Sequence, residues 1–292
     1  MDGLTRRWRP AFTLDVAAVL GPLRRGAADP AYQVGPDGAL WLTANTTTGP
    51  ATLRLSRDDE VLATAWGEGA DELLAGVPEL LGAGDDDSGF ESHHELIAQT
   101  RRRMPGLRLG ATGRVWDVLL PAILEQKVTG HEARRSWRDL CRGYGLPAPG
   151  PAPAGMRVPP TPRALLAITD WQWHRAGVDG ARRRTLLNAA ASAHALTSTA
   201  RLRLIPGIGV WTAAEVAQRA WGDPDAVSVG DFHIPSVVGW ALLGRPLDDE
   251  GMLEVLAPYA PQRQRAVRYI EASGFRRPRF APRYSARDYR AM

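Results

Sequence analysis

The sequence predicts a mainly α-helical protein with an N-terminal α+β domain that contains an antiparallel sheet. Three observations predict it. From residue 93 onward, apolar side chains recur every three or four positions, the period of helices with one buried face. Over residues 1–84, short strand-like runs alternate with turn signals. Between them, residues 82–89 are rich in Gly and Asp and read as a flexible acidic connector. The expected organisation is a domain and linker over 1–89, a helical core over 90–274, and a basic tail over 275–292.

Taken in order, residues 39–43 and 52–55 have strand character, and Gly35-Pro36-Asp37-Gly38 marks a turn before the first. Helical patterning appears at 14–23 and 71–81. The three consecutive aspartates at 85–87 lack the alternating ligands and terminal glutamate of a calcium loop, so a solvated linker is the expectation. Helices follow at 93–103, 115–128 and 132–144. Residues 147–162 hold seven prolines and read as a stiff, extended loop. Helical periodicity resumes at 162–168, 181–196, 199–204, 211–221, 232–243, 248–256 and 262–273. The tail shows no period, and the chain has no internal repeat.

Composition narrows the function. At 44% hydrophobic and 23% charged residues, the chain has enough apolar material for a core, which excludes wholesale disorder. The net charge is only +4, but it is unevenly spread. No Lys or Arg occurs between Asp58 and Thr100, whereas residues 261–292 carry nine Arg against Glu271 and Asp288. A basic end suits a partner rich in phosphate, or is simply a solvated tail. The one cysteine, Cys141, excludes an intramolecular disulfide and points to a reducing compartment. No run approaches the length of a membrane span and no leader pattern opens the chain, so a soluble, cytoplasmic monomer is expected.

The most informative stretch is Leu204-Ile205-Pro206-Gly207-Ile208-Gly209-Val210-Trp211-Thr212, with Asp231 twenty residues after Trp211. Gly207 and Gly209 permit backbone angles closed to other residues and let an anion approach the main chain. The amides of residues 207–210 then face outward at the start of a helix, a natural phosphate site that reads no base sequence. The rival reading is a plain helix connection. Likewise Asp231 reads either as a reactive carboxylate or as the N-cap of the helix that follows.

Residues 205–213 with Asp231 closely resemble the helix-hairpin-helix (HhH-GPD) DNA glycosylase superfamily. Gly106-Leu107-Arg108-Leu109 and Ile123-Leu124-Glu125-Gln126 look like its bacterial 3-methyladenine DNA glycosylase II branch. The resemblance covers about residues 104–274 and implies a base-excision repair enzyme acting on damaged double-stranded DNA. It makes Asp231 the catalytic carboxylate, and Gly207, Ile208, Gly209, Val210 and Thr212 a grip on the DNA backbone. Gln126 would reach into the minor groove, and Lys127 stands where the family inserts an apolar wedge. The alternative for Lys127 is an exposed helix residue. Arg263 is a further candidate phosphate contact.

The resemblance also makes Trp211 a pocket wall. Glu215 and Gln262 stand where the branch keeps aromatic residues, which suggests a thinner, more polar pocket and opens a second substrate class, deaminated purines such as hypoxanthine. The alternative for Glu215 is a surface acid. Phe232, His233 and His174 are candidates to line the same cleft. Strand-cleaving relatives use a lysine at the position of Trp211, and Lys127 is the only lysine in the chain, so a monofunctional glycosylase is implied. A single cysteine leaves no iron–sulfur cluster. A structural Na+ or K+ held by the main-chain carbonyls of Arg203, Ile205 and Ile208 is the only ion the resemblance suggests. The competing class is a non-catalytic hairpin protein that binds DNA.

Overall fold

The computed structural model describes residues 2–278, so most of the basic tail lies outside the described residues. Its first element, β1 (Leu4–Trp8), precedes a short helix α1 (Val16–Leu20). Then come β2 (Tyr32–Val34), β3 (Leu40–Asn45), β4 (Pro50–Arg57) and β5 (Val61–Gly67). These form one antiparallel sheet in the order β1-β5-β4-β3-β2, as the strand-and-turn pattern predicts. The turn at 35–38 closes with Gly38 at φ +78°, and its strands pair Leu40 with Val34.

Alternation along β3 explains why the sheet is covered on both faces. Leu40, Leu42 and Ala44 join a core with α1, α2 (Ala70–Ala75) and α3 (Val77–Leu80). Each fully buried leucine there contributes roughly 2 kcal/mol. Trp41 and Thr43 point the other way. Trp41 stacks on Trp66 at 5.5 Å, and Thr43 Oγ1 donates to Arg157 O at 2.7 Å. The proline-rich loop therefore has a structural job: its small ribbon, β6 (Leu146–Pro147) with β7 (Arg157–Val158), lies over this second face.

The helical part contains two hydrophobic cores. One gathers α5 (Val115–Leu124), α6 (Gly130–Tyr144), α7 (Pro162–Leu166), α8 (Asp170–Arg175), α9 (Gly180–Ala191), α10 (Thr199–Arg203) and α11 (Val210–Ala220). Helix α5 is buried from Val118 to Leu124 and forms its centre. The other core joins α4 (Glu95–Arg103) to α12 (Ile234–Leu243), α13 (Asp249–Leu256) and α14 (Arg263–Ala272), so the chain leaves this core after α4 and returns at Val227. Cys141 is buried in the first core, which pushes its thiol pKa well up. No helix among the described residues is long and apolar enough to cross a membrane.

Two of the three aspartates in the acidic connector are engaged by arginines, while Asp86 between them is exposed. Asp85 is 2% exposed and pairs with Arg265 of α14 and with Arg108, while its Oδ2 also accepts from Leu109 N at 3.0 Å. Asp87 takes Arg101 at 3.1 Å and Arg108 at 3.4 Å. Acids that look solvated in sequence are thus neutralised by arginines distant in the chain. A second seam joins the sheet to α5, where Asp117 accepts both Asn45 N and Asn45 Nδ2 at 3.0 Å.

Candidate active site

The hairpin between α10 and α11 is braced from inside. Ile205 and Ile208 are buried in the first helical core, and Ile208 N donates to Ile205 O at 3.0 Å. Gly207 sits at φ +94°, and a Cβ there would run into Thr185 of α9, so only glycine suits the position. Gly209 differs. Its φ is −91° and an added Cβ would meet nothing within 4 Å, so neither strain nor packing in this chain demands a glycine. What it keeps bare is the outer side of the α11 N-terminus, where Val210 is also exposed.

Asp231 precedes α12, and its two oxygens have different partners. Its Oδ1 accepts from His233 N at 2.7 Å and Ile234 N at 2.9 Å, capping the helix. Its Oδ2 accepts from Trp211 Nε1 at 2.9 Å, across the gap between the two helical cores. Three neutral N–H donors therefore fix the carboxylate, and no cation is paired with it among the described residues. Gly230, at φ +87°, lets the chain turn into this position and donates its N–H to Asp249 Oδ1 at 2.9 Å.

One helical turn beyond Trp211, Glu215 faces a cavity of about 70 Å³ at the junction of all three cores. The wall combines Leu20 and Leu23 near α1, Glu215, Gln218 and Arg219 of α11, Ile234 of α12, and Gln264, Val267 and Arg268 of α14. Among the described residues, no aromatic side chain lines it. Glu215 is not a surface acid: it is 9% exposed, accepts Ser228 Oγ–H at 2.6 Å and pairs with Arg219 at 2.9 Å. Neither Asp231 nor Trp211 lines this cavity; Ile234, whose amide the carboxylate holds, and Glu215, on the helix of Trp211, are the lining residues nearest to them in the chain.

Several expected site residues have other employment. Gln262 is buried at the start of α14, its Oε1 taken by Arg265 Nε, and it does not line the cavity. Gln264, two residues on, occupies the cavity face together with Val267, Arg268 and Glu271. That set has helical spacing and was legible as one face of α14. Arg263 is spent on Asp225, which takes its Nε at 2.8 Å and its backbone N–H at 2.9 Å. Thr212 is 2% exposed and accepts from Gln126 Nε2 at 2.8 Å, so its side chain is not a DNA contact.

Gln126 itself does not project freely. Its amide also donates to Gly207 O at 3.0 Å, tying the end of α5 to the hairpin. The helix stops at Leu124, short of the expected 128, and Lys127 lies exposed in the turn beyond at φ +52°. It is the only non-glycine residue with positive φ among those described. Phe232 is 76% exposed and packs edge-on to His233. His174 stacks on Trp171 at 5.6 Å, and lines no part of the cavity. Among the described residues, no cluster of His, Cys, Asp or Glu would hold a metal ion. Of the three hairpin carbonyls expected at a cation, that of Ile205 already accepts the amide of Ile208, though its second lone pair remains.

The fold is similar to that of several solved DNA glycosylases. The 3-methyladenine DNA-glycosylase of Archaeoglobus fulgidus superposes with a TM-score of 0.70 at 14% identity, over 91% of this chain and 96% of that one. MBOgg1, solved with a low-affinity DNA ligand, gives 0.72 at 15% identity, over 94% and 98%. The 8-oxoguanine glycosylase/lyase of Clostridium acetobutylicum gives 0.71 at 12% identity, over 94% and 97%. No family model and no curated protein matches the sequence.

Proposed function

We propose that this chain is a monofunctional base-excision DNA glycosylase that removes a damaged purine from duplex DNA and leaves an abasic site. The observation that carries the reading is the Asp231 carboxylate, oriented by Trp211 and the amides of His233 and Ile234, with no cation paired to it among the described residues. As the bond between base and sugar stretches, positive charge grows on the sugar, and a fixed carboxylate beside it stabilises that charge. Water then attacks the anomeric carbon, its proton passes to Asp231, and the base departs with the bonding electrons.

The bare amides around Gly209 would take a phosphodiester, with Na+ or K+ at the carbonyls of Arg203, Ile205 and Ile208 holding the turn. Lys127 would enter the gap left by the extruded nucleotide, since strained, exposed backbone is a feature of functional turns. Strand cleavage through an imine needs an amine, and the group beside Asp231 is an indole whose nitrogen lone pair belongs to the ring. The enzyme would act as a monomer.

The first substrate class to test is alkylated purines of the 3-methyladenine type, on the strength of the hairpin and the Gln126 segment. A second class has its own observation. Among the described residues the cavity wall has no aromatic face for a cationic base but offers Glu215 and Gln264 to the edge of a neutral one such as hypoxanthine. Duplexes carrying methylated adenine, methylated guanine, hypoxanthine, 8-oxoguanine or uracil separate these classes by the base released. Inactivity on all five would leave a non-catalytic DNA-binding protein, and trapping by borohydride would refute the monofunctional reading.

A further inference from the structure

We infer that Arg277, together with His233, forms a contact for a DNA backbone phosphate at the mouth of the site, in the role that the sequence had suggested for Arg263. The inference rests on the glycosylase reading and adds a residue to its DNA interface. Arg277 follows α14 and returns to the N-terminal turn of α12. Its Nη1 donates to Ser236 Oγ at 3.1 Å, and its Nη2 lies 3.0 Å from His233 Nδ1. A guanidinium can only donate, so the imidazole Nδ1 accepts and the proton of the neutral ring sits on Nε2. His233 is exposed, and its backbone N–H is the one that Asp231 holds at 2.7 Å. A charged guanidinium and an outward Nε2–H donor therefore stand side by side, two residues from the reactive carboxylate.

Electrostatic company separates the two arginines. Arg263 is cancelled by a two-pronged pair with Asp225. Arg277 has only a hydroxyl and a neutral ring nitrogen as partners among the described residues. An unpaired guanidinium held by neutral groups keeps its charge for an external anion, and a phosphodiester fits its fork.

The test is equilibrium binding to a duplex containing a tetrahydrofuran abasic analogue, measured against KCl concentration. Each phosphate contact adds about 0.9 to the slope of log K against log salt. Arg277→Ala should lower that slope by about one and weaken binding about tenfold near 0.1 M salt. Arg277→Lys should keep the slope. Arg277→Gln can retain hydrogen bonds while removing the charge, so it should lose the slope even if the alanine variant folds poorly. Arg263→Ala should leave the slope at its wild-type value. A wild-type slope in both neutral Arg277 variants would overturn the assignment alone. Absence of salt-dependent duplex binding by the wild-type protein would overturn the glycosylase reading along with it.

Discussion

Asp85 and Asp231 are single carboxylates at seams between cores, and the protein gives them opposite company. Asp85 is enclosed by the guanidinium groups of Arg265 and Arg108, so its charge is cancelled where it stands. Asp231 is held by an indole N–H and two backbone amides, which orient it without supplying a compensating full charge. The Asp85 side chain is 2% exposed, although as whole residues both aspartates are half-buried. A carboxylate paired with arginine fastens elements together. One held only by dipoles keeps its field for a cation that forms nearby.

The largest expected effect breaks the Asp231 side of this contrast. Asp231→Asn keeps an oxygen for the two α12 amides but loses the charge. Base release in single-turnover assays should fall by about 10²–10³-fold or more, with the thermal midpoint little changed. Activity within tenfold of wild type would make Asp231 a cap and nothing else. On the other side, Asp85→Ala strands Arg265, which is fully buried, and should cost about 3–5 kcal/mol in urea unfolding. Replacing Arg265 by Met in the same protein should recover part of that loss, because two charges are then removed instead of one.

The contrast also explains what the sequence could reveal. The hairpin and Asp231 were legible because their signal is local: a glycine at positive φ, a bare helix start and a carboxylate before a helix are all written in neighbouring residues. The sheet and the helices were legible from period, with boundaries moved by a few residues at Lys127 and near Ile234. Asp85 was not legible, since its partner Arg265 lies 180 positions away and no local rule joins them. Gln262 and Arg263 were misplaced for the same reason: each is consumed by a buried or tertiary partner, Arg265 and Asp225. Glu215 was open between a surface acid and a pocket wall until the third core closed the cavity around it.

A smaller effect sharpens the comparison within the hairpin. Gly207→Ala forces a side chain onto Thr185 at positive φ and should cost on the order of 1–3 kcal/mol of stability. Gly209→Ala adds a methyl in open space, and stability should stay within about 0.5 kcal/mol of wild type. Its consequence should appear instead in duplex affinity, which should drop several-fold as the methyl holds a phosphate away from the amides. Unchanged affinity would mean that this turn only connects two helices.

The smallest effect concerns Asp225, an intermediate case: paired with arginine like Asp85, yet less deeply buried. Its burial raises the carboxyl pKa, but the hydrogen bonds and charge of Arg263 outweigh that and hold it below the usual carboxylate range. The folded protein thus binds this proton less readily than the unfolded chain does. The resulting stability is fully present above the unfolded carboxylate pKa and is lost as pH falls through the lower folded value. Asp225→Asn keeps an oxygen for Arg263 N but removes the charge, so its deficit against wild type should be clear near about pH 7 and shrink towards about pH 3. Urea midpoints at the two conditions measure the difference. A deficit that stays constant would assign the pair's contribution to hydrogen-bond geometry, and the distinction drawn between charged and dipolar company would not extend to this seam.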